Sequence, residues 1–283
     1  MNEESQIPIR NSRQLKDKIK NLAQKNELFS GALLQNYMME RFMERVSLSR
    51  YRDNFILKGG FLIAAMVGIT LRSTMDIDAT IKGLPVSQQE IEKIISEVLA
   101  IPVEDHVTFE MKSIKPIHED GEYEGFRLTI LAAFQTIRIN LKLDITTGDL
   151  IIPREVEYPF KLMFEDRCIP VKAYNLNTIL AEKIETILSR NIANTRARDY
   201  YDVYILLTTR SDSIDKNELL DALVQKAQER GTLGYIKQHD KYLSDIRESR
   251  DLQKIWIVYK GKYQYAEDIE FEEIVNCLGG IFQ

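Results

Sequence analysis

Between Ile137 and Ile145 apolar and polar residues alternate without a break, "IRINLKLDI". Side chains on a strand point to opposite faces with a period of two. Ile137, Ile139, Leu141, Leu143 and Ile145 therefore form one face, and Arg138, Asn140, Lys142 and Asp144 the other. "MDIDATI", residues 75–81, repeats the pattern: Ile77, Ala79 and Ile81 face one way, Asp76, Asp78 and Thr80 the other. Such strands need a cover over the apolar side. Their polar side raises a different question. Two carboxylates about 7 Å apart along one strand repel each other unless something positive separates them. A divalent cation would do so; a solvated sheet face is the plainer reading. If the two strands are neighbours, Asp76, Asp78 and Asp144 share one face. Mg²⁺ relieves the cost of grouping them and asks for oxygen ligands of this kind.

The bulk of the chain narrows the class. With 283 residues, 44% hydrophobic and 29% charged, it reads as one large or two medium soluble domains. No apolar run approaches a membrane span, and "MNEESQIPIRNSRQLKDKIK" has no apolar signal core, so a cytoplasmic protein with no membrane partner is expected. Cys168 and Cys277 stand far apart with no CxxC pair, and His106, His118 and His239 lack zinc spacing. Cys168 has no neighbouring histidine and is not a nucleophile candidate.

Net charge is −5, but charge is unevenly placed. Arg10 to Lys25 holds six basic residues (Arg10, Arg13, Lys16, Lys18, Lys20, Lys25) against one acid, Asp17. Arg41, Arg45, Arg50, Arg52 and Lys58 add a second basic stretch. Either is a nucleic-acid contact or a solvated helix.

Periodicity predicts helices over 12–25 and 30–49, a short strand "NFILKGG", and a buried helix "FLIAAMVG" ended by Gly68. The 75–81 strand follows, then a helix over 88–100 after Pro85 and Ser87. Strands over 106–114 and 125–133 are joined through the turn-rich "HEDGEYEG". After Asp149 short strands near 155–162 and 168–173 lead to helices over 176–190, 196–208, 215–229 and 235–248. "KIWIVYK" reads as a strand with Trp256 in the core, and a last helix is expected near 269–278. The division expected is a mixed α/β domain, 1–173, and a mostly helical domain, 174–283. With no Pro/Gly/Ser linker between them, tight packing and an active site at their junction are expected.

Gly59 and Gly60 lie between a strand and a helix, where backbone amides can approach a phosphate. In the back half Asn175 is a good N-cap, and apolar residues recur at Leu176, Ile179, Leu180, Ile184, Ile187 and Leu188. Lys183 falls on that stripe, so it either snorkels at the edge or meets an anion. Asp199 and Asp202 share a face of the next helix, with Arg198 placed to pair with Asp202 at i,i+4. The apolar "YYDVYILL" around them argues against a solvated ladder, and Tyr200, Tyr201 and Tyr204 read as packing residues.

These residues resemble a family. "LKGGFLIAAMVG" followed by "RSTMDIDA" resembles the glycine-pair and DxD signature of the DNA polymerase β-like nucleotidyltransferases. "LAEKIETILSR" and "RARDYYDVYIL" resemble the AbiEii/AbiGii toxin branch, to which the Men-type tRNA-modifying toxins belong. The likeness runs from about Asn54 to Leu207. Met75 stands where the family usually has an acid, and Gly60 where many members have serine.

The resemblance implies a polymerase β-like sheet flanked by helices, an α+β fold. It implies the toxin of a type IV toxin–antitoxin system active in abortive phage infection. Such a protein transfers a nucleotide from an NTP to RNA, above all tRNA, with Mg²⁺ or Mn²⁺. Asp76, Asp78 and Asp144 would be the metal-binding and catalytic carboxylates. Gly59, Gly60, Arg72, Ser73, Lys183, Arg198 and Asp202 would serve the nucleotide, with Asp199 orienting Lys183. The implied partner is an AbiEi-like antitoxin that acts mainly at the gene or by antagonism. Transfer to a protein acceptor, or nucleotide binding without catalysis, are the alternatives.

Overall fold

The computed structural model describes residues 9–84, 87–119 and 123–283. Pro85 and the Asp120–Glu122 part of the expected turn lie outside the described residues, as does the start of the polar N-terminus. The chain forms two compact units. The first comprises Met1–Asp149 and Glu155–Ala173; the second takes Leu150–Arg154 with Tyr174–Gln283.

The first unit is built on a seven-stranded sheet. Its strands are β1 (Phe55–Lys58), β2 (Asp76–Ile81), β3 (Thr108–Glu119), β4 (Tyr123–Phe134), β5 (Ile137–Thr147), β6 (Val156–Lys161) and β7 (Cys168–Ala173), in the spatial order β3-β4-β5-β2-β1-β7-β6. β2 runs parallel to β5 and β1 parallel to β7; the other neighbours are antiparallel. The alternation fixes this register. Leu128, Leu143 and Ile77 lie opposite one another, and so do Phe126, Ile145, Ala79, Leu57 and Ala173. All are buried. A register slip of one residue would turn that apolar face to water, so the pairing is strongly specified.

Among the described residues four helices complete the unit: α1 (Ser12–Lys25), α2 (Ser30–Leu48), α3 (Gly59–Val67) and α4 (Gln88–Leu99). α2 packs on β5 and β7, α3 on β1 and β2, α4 on β3, and α1 on α2. α1 is capped by Asn11, which accepts from the Gln14 amide, and buries only Leu15, Ile19 and Ala23. α3 ends at Gly68, whose φ of 97° suits a residue without a Cβ.

The basic stretch 41–58 is neither a solvated helix nor an open nucleic-acid surface. Arg41 and Arg45 are 2% and 3% exposed. Arg41 pairs with Glu165 at 2.6 Å and Glu44 at 3.1 Å. Arg45 grips Asp105 through two bonds of 2.8 and 2.9 Å. Arg50 pairs with Glu97, Arg52 with Asp53 and Lys58 with Asp149. For Arg41 and Arg45 burial compels the pairing, because an unpaired guanidinium away from water is far too costly.

The second unit is helical: α5 (Leu176–Arg190), α6 (Ala197–Thr209), α7 (Lys216–Glu229), α8 (Leu233–Lys237), α9 (His239–Glu248), α10 (Arg250–Lys262) and α11 (Phe271–Gly280). The helix expected over 235–248 is interrupted at Gln238, which leaves helical geometry and separates α8 from α9. "KIWIVYK" is not a strand; it lies in α10. The burial explains why: Leu252, Trp256 and Tyr259 are inside at i, i+4 and i+7, while Ile257 and Val258 are 61% and 72% exposed. A β-branched run overrode the helical period in the sequence reading. Trp256 is in the core as expected, its indole N–H donating to the Ile269 carbonyl at 2.9 Å. Among the described residues no helix is long and apolar enough to cross a membrane.

Candidate active site

On the polar side of the first unit's sheet one register row carries charge on the four adjacent strands β1, β2, β5 and β4. Lys58 lies opposite Asp78, Asp78 opposite Asp144, and Asp144 opposite Arg127. Neighbouring strands are about 4.8 Å apart, so the two carboxylates are close neighbours. The next row sets Asp76 opposite Lys142. The strand expectation thus brings Asp76, Asp78 and Asp144 onto one face. Each has a distinct setting. Asp76 and Asp78 are half-buried. Asp144 is 7% exposed and accepts two bonds from Arg127, Nε to Oδ1 at 2.8 Å and Nη2 to Oδ2 at 2.6 Å. Such a bidentate pair is among the stronger charge-assisted contacts.

The glycine pair closes on this row. Gly59 has φ of +68°, and a Cβ there would stand 2.0 Å from Asp78 Oδ2. The Asp78 carboxylate therefore occupies the space a side chain would fill, at the start of α3, where backbone N–H groups are unpaired by the helix itself. At Gly60 a Cβ would meet Arg72 Nη2 at 2.9 Å and Thr74 Oγ1 at 3.0 Å. Arg72, expected at the phosphates, is 1% exposed and donates to the Ser73 carbonyl. It braces the segment between α3 and β2. Ser73 is half-buried beside it. α2 pins the same segment from Gln35, which donates to the Met75 carbonyl, and Asn36, which donates to the Thr74 carbonyl at 3.1 Å.

Three members of this site escaped sequence reasoning. Lys58 Nζ lies 3.1 Å from Asp149 Oδ2, and Thr146 Oγ1 donates to the same oxygen at 2.5 Å. Burial pushes the Asp149 carboxyl up, but the Lys58 ammonium and the hydroxyls of Thr146 and Thr80 outweigh it and hold its pKa below the usual range. Arg127 is the third. It stands where β4 alternates between Phe126 and Leu128, so strand pairing would have pointed to it; Asp149 follows a glycine and carries no such signal.

The remaining candidates gather in the second unit. Lys183 Nζ lies 2.5 Å from Asp199 Oδ1 and 3.1 Å from Asp202 Oδ2. Burial pulls the ammonium down, yet the charges of Asp202 and Asp199 prevail and its pKa is raised. Asp199 and Asp202 are 1% and 0% exposed. Arg196, which the sequence reading passed over, adds a contact to Asp199 Oδ2 at 2.9 Å. Arg198 does not pair with Asp202 as expected; it donates to the Tyr263 hydroxyl at 3.3 Å. Lys183 stands nearer and holds Asp202 from the facing helix.

Among the described residues no group of three or more His, Cys, Asp or Glu is arranged as a metal cage. Mg²⁺ does not require one. It commonly keeps several waters and takes one or two carboxylates together with substrate phosphates. Asp76 and Asp78, with the close approach that Gly59 permits, suit that mode.

Among solved structures, MenT4, a nucleotidyltransferase toxin from Mycobacterium tuberculosis, shares the fold at a TM-score of 0.51 and 14% identity, over 89% of this chain and 94% of that one. JHP933 from Helicobacter pylori aligns at 16% identity over 90% of this chain and 91% of that one, with a TM-score of 0.47. No curated protein matches the chain. The family profile described as nucleotidyl transferase AbiEii toxin, type IV toxin–antitoxin system, matches residues 41–277. That span includes both charged clusters. The chain belongs to the AbiEii family of nucleotidyltransferase toxins.

Proposed function

We propose that this enzyme moves a nucleotidyl group from an NTP to an RNA hydroxyl, with tRNA as the acceptor and Mg²⁺ or Mn²⁺ as the cofactor. It would act in the cytoplasm in defence against phage, restrained by a cognate antitoxin of AbiEi type. The observation that carries this reading is the register row in which Asp78 adjoins Asp144, with Asp76 one step along β2 and Gly59 against Asp78.

In the reaction the acceptor oxygen bonds to the α-phosphorus, the α–β bridging P–O bond breaks, and pyrophosphate leaves. A divalent cation bound by Asp76 and Asp78 would offset the triphosphate charge and ease ionisation of the hydroxyl. Gly59 and Gly60 let the backbone at the start of α3 meet the phosphates. Asp144 is suited to take the hydroxyl proton: a carboxylate has about four acceptor positions, and Arg127 uses two. In the second unit Lys183 is the proposed nucleotide contact, held ready by Asp199 and Asp202.

The test is mass measurement of tRNA after incubation with each NTP and Mg²⁺, with EDTA as the control. One added nucleotide, lost in Asp76→Ala and Asp78→Ala variants that stay folded, is the expected result. Nucleotide found on protein and not on RNA would overturn the acceptor, and full activity of either variant would overturn the carboxylate assignment.

A further inference from the structure

We propose that the RNA acceptor is held on the first unit by a strip of unpaired cations. The strip runs from Lys142, beside the carboxylate strand, through Arg138 to Arg13, Lys16 and Lys20 of α1. The inference rests on the RNA transfer proposed above and assigns the surface that would serve it.

The strip starts at the site. Lys142 is the register partner of Asp76 and stands on the same face of β5 as Asp144. Arg138 shares that face four residues earlier, about 13 Å away at 3.3 Å per residue. From there the surface passes to α1 through a fixed joint. The Ser12 amide donates to Gln135 Oε1 at 2.9 Å, and Arg138 Nη1 donates to the Gln135 carbonyl at 2.7 Å. Gln135 thus ties the start of α1 to the foot of β5. Arg13 follows Ser12 directly, and Lys16 and Lys20 continue its stripe at i+3 and i+7. α1 turns Leu15, Ile19 and Ala23 inward, so this stripe faces outward.

All five cations are exposed, and among the described residues none has an acidic group within 4 Å. Other exposed cations on this unit divide: Arg50, Lys82, Lys161 and Arg167 are each paired with a glutamate or aspartate, whereas Arg10, Lys25, Lys93 and Lys115, like the strip, are not paired among the described residues. In a chain of net charge −5, a line of uncompensated cations that begins beside the acidic row fits a polyanion. Spacing favours a nucleic-acid backbone over a small anion, since Lys142 and Arg138 alone stand about 13 Å apart along β5, more than one phosphate can bridge.

The test is the salt dependence of binding to total tRNA. Each phosphate contact contributes a slope of about −0.7 to −0.9 in log K against log salt, so five contacts give about −3.5 to −4.5. Lys142→Gln, Arg138→Gln and Lys16→Gln together should reduce the slope to about −1.4 to −1.8. Melting temperature should stay as in the parent. An unchanged slope in a folded triple variant, with the parent binding tRNA, would overturn the strip alone. A parent that binds no tRNA at low salt would overturn the RNA reading and the strip with it.

Discussion

Gly59 and Asp78 occupy space that only one of them can fill: a Cβ on Gly59 would lie 2.0 Å from Asp78 Oδ2. The helix start and the carboxylate strand are therefore locked together through the absence of a side chain. Gly59→Ala should displace Asp78 and strain a backbone at φ +68°. Activity should fall at least 100-fold, with a melting temperature several degrees lower. Gly60→Ala meets only the ends of the Arg72 and Thr74 side chains and should lose less than tenfold. Equal activity of the two variants in the transfer assay would show that the Gly59–Asp78 contact does not matter.

Asp144 and Arg127 pose a question that kinetics can answer. If Asp144 accepts the hydroxyl proton, Asp144→Asn should lower kcat by about 10²–10⁴, the usual range for acid–base groups. The KM for NTP should be little changed. Arg127→Gln keeps the carboxylate and removes its grip, so kcat should fall less than tenfold. Matching losses in both variants would mean that the pair is only a strut between β4 and β5.

Much of this was legible in the sequence. The alternation in β2 and β5 announced both strands and the faces on which their acids would lie. Asn175 marked the start of α5, and its side chain accepts from the Thr178 amide at 2.8 Å. What escaped depended on partners far apart in the chain. Nothing local to Arg41 and Arg45 shows that Glu165 and Asp105 will neutralise them. Nothing near Lys58 announces Asp149. Charge along a sequence is local, whereas ion pairing is decided by tertiary register. The error at "KIWIVYK" is of another kind: residues of high strand propensity were placed on a helix, where tertiary packing chose the face.

Lys183 is predicted to be dispensable to folding only if its carboxylates change with it. Lys183→Met leaves Asp199 and Asp202 buried without their ammonium, a loss that typically costs about 3–5 kcal/mol. Denaturant unfolding should show it. Adding Asp199→Asn and Asp202→Asn should recover most of that stability, because the buried negative charges that Lys183 offset are then gone. Transfer activity separates the roles: a stable triple variant with no turnover supports the nucleotide contact. Wild-type turnover in that variant would leave the cluster a purely structural network.

Glu40 should make stability depend on pH in an unusual direction. Its carboxylate lies in α2 and accepts from the Met163 amide at 3.0 Å, which holds the turn between β6 and β7. Burial raises its pKa from 4.5 to about 8, against the opposing pull of the Met163 amide and Arg41. The folded chain therefore keeps a proton that the unfolded chain releases. By linkage, stability falls as pH rises wherever the folded state binds more protons. The loss from this group begins above its unfolded value near 4.5 and is complete above about 8. Paired carboxylates such as Asp149 and Glu165 have lowered pKa values and act at more acid pH, with the opposite sign. The comparison must therefore be between chains that differ only at Glu40. Glu40→Gln keeps an acceptor for the Met163 amide and cannot ionise. The difference in unfolding free energy, variant minus parent, should grow steadily between pH 5 and 8 and level off above. Parallel curves across that window would show that Glu40 is already ionised in the folded protein, neutralised by Arg41 3.9 Å away.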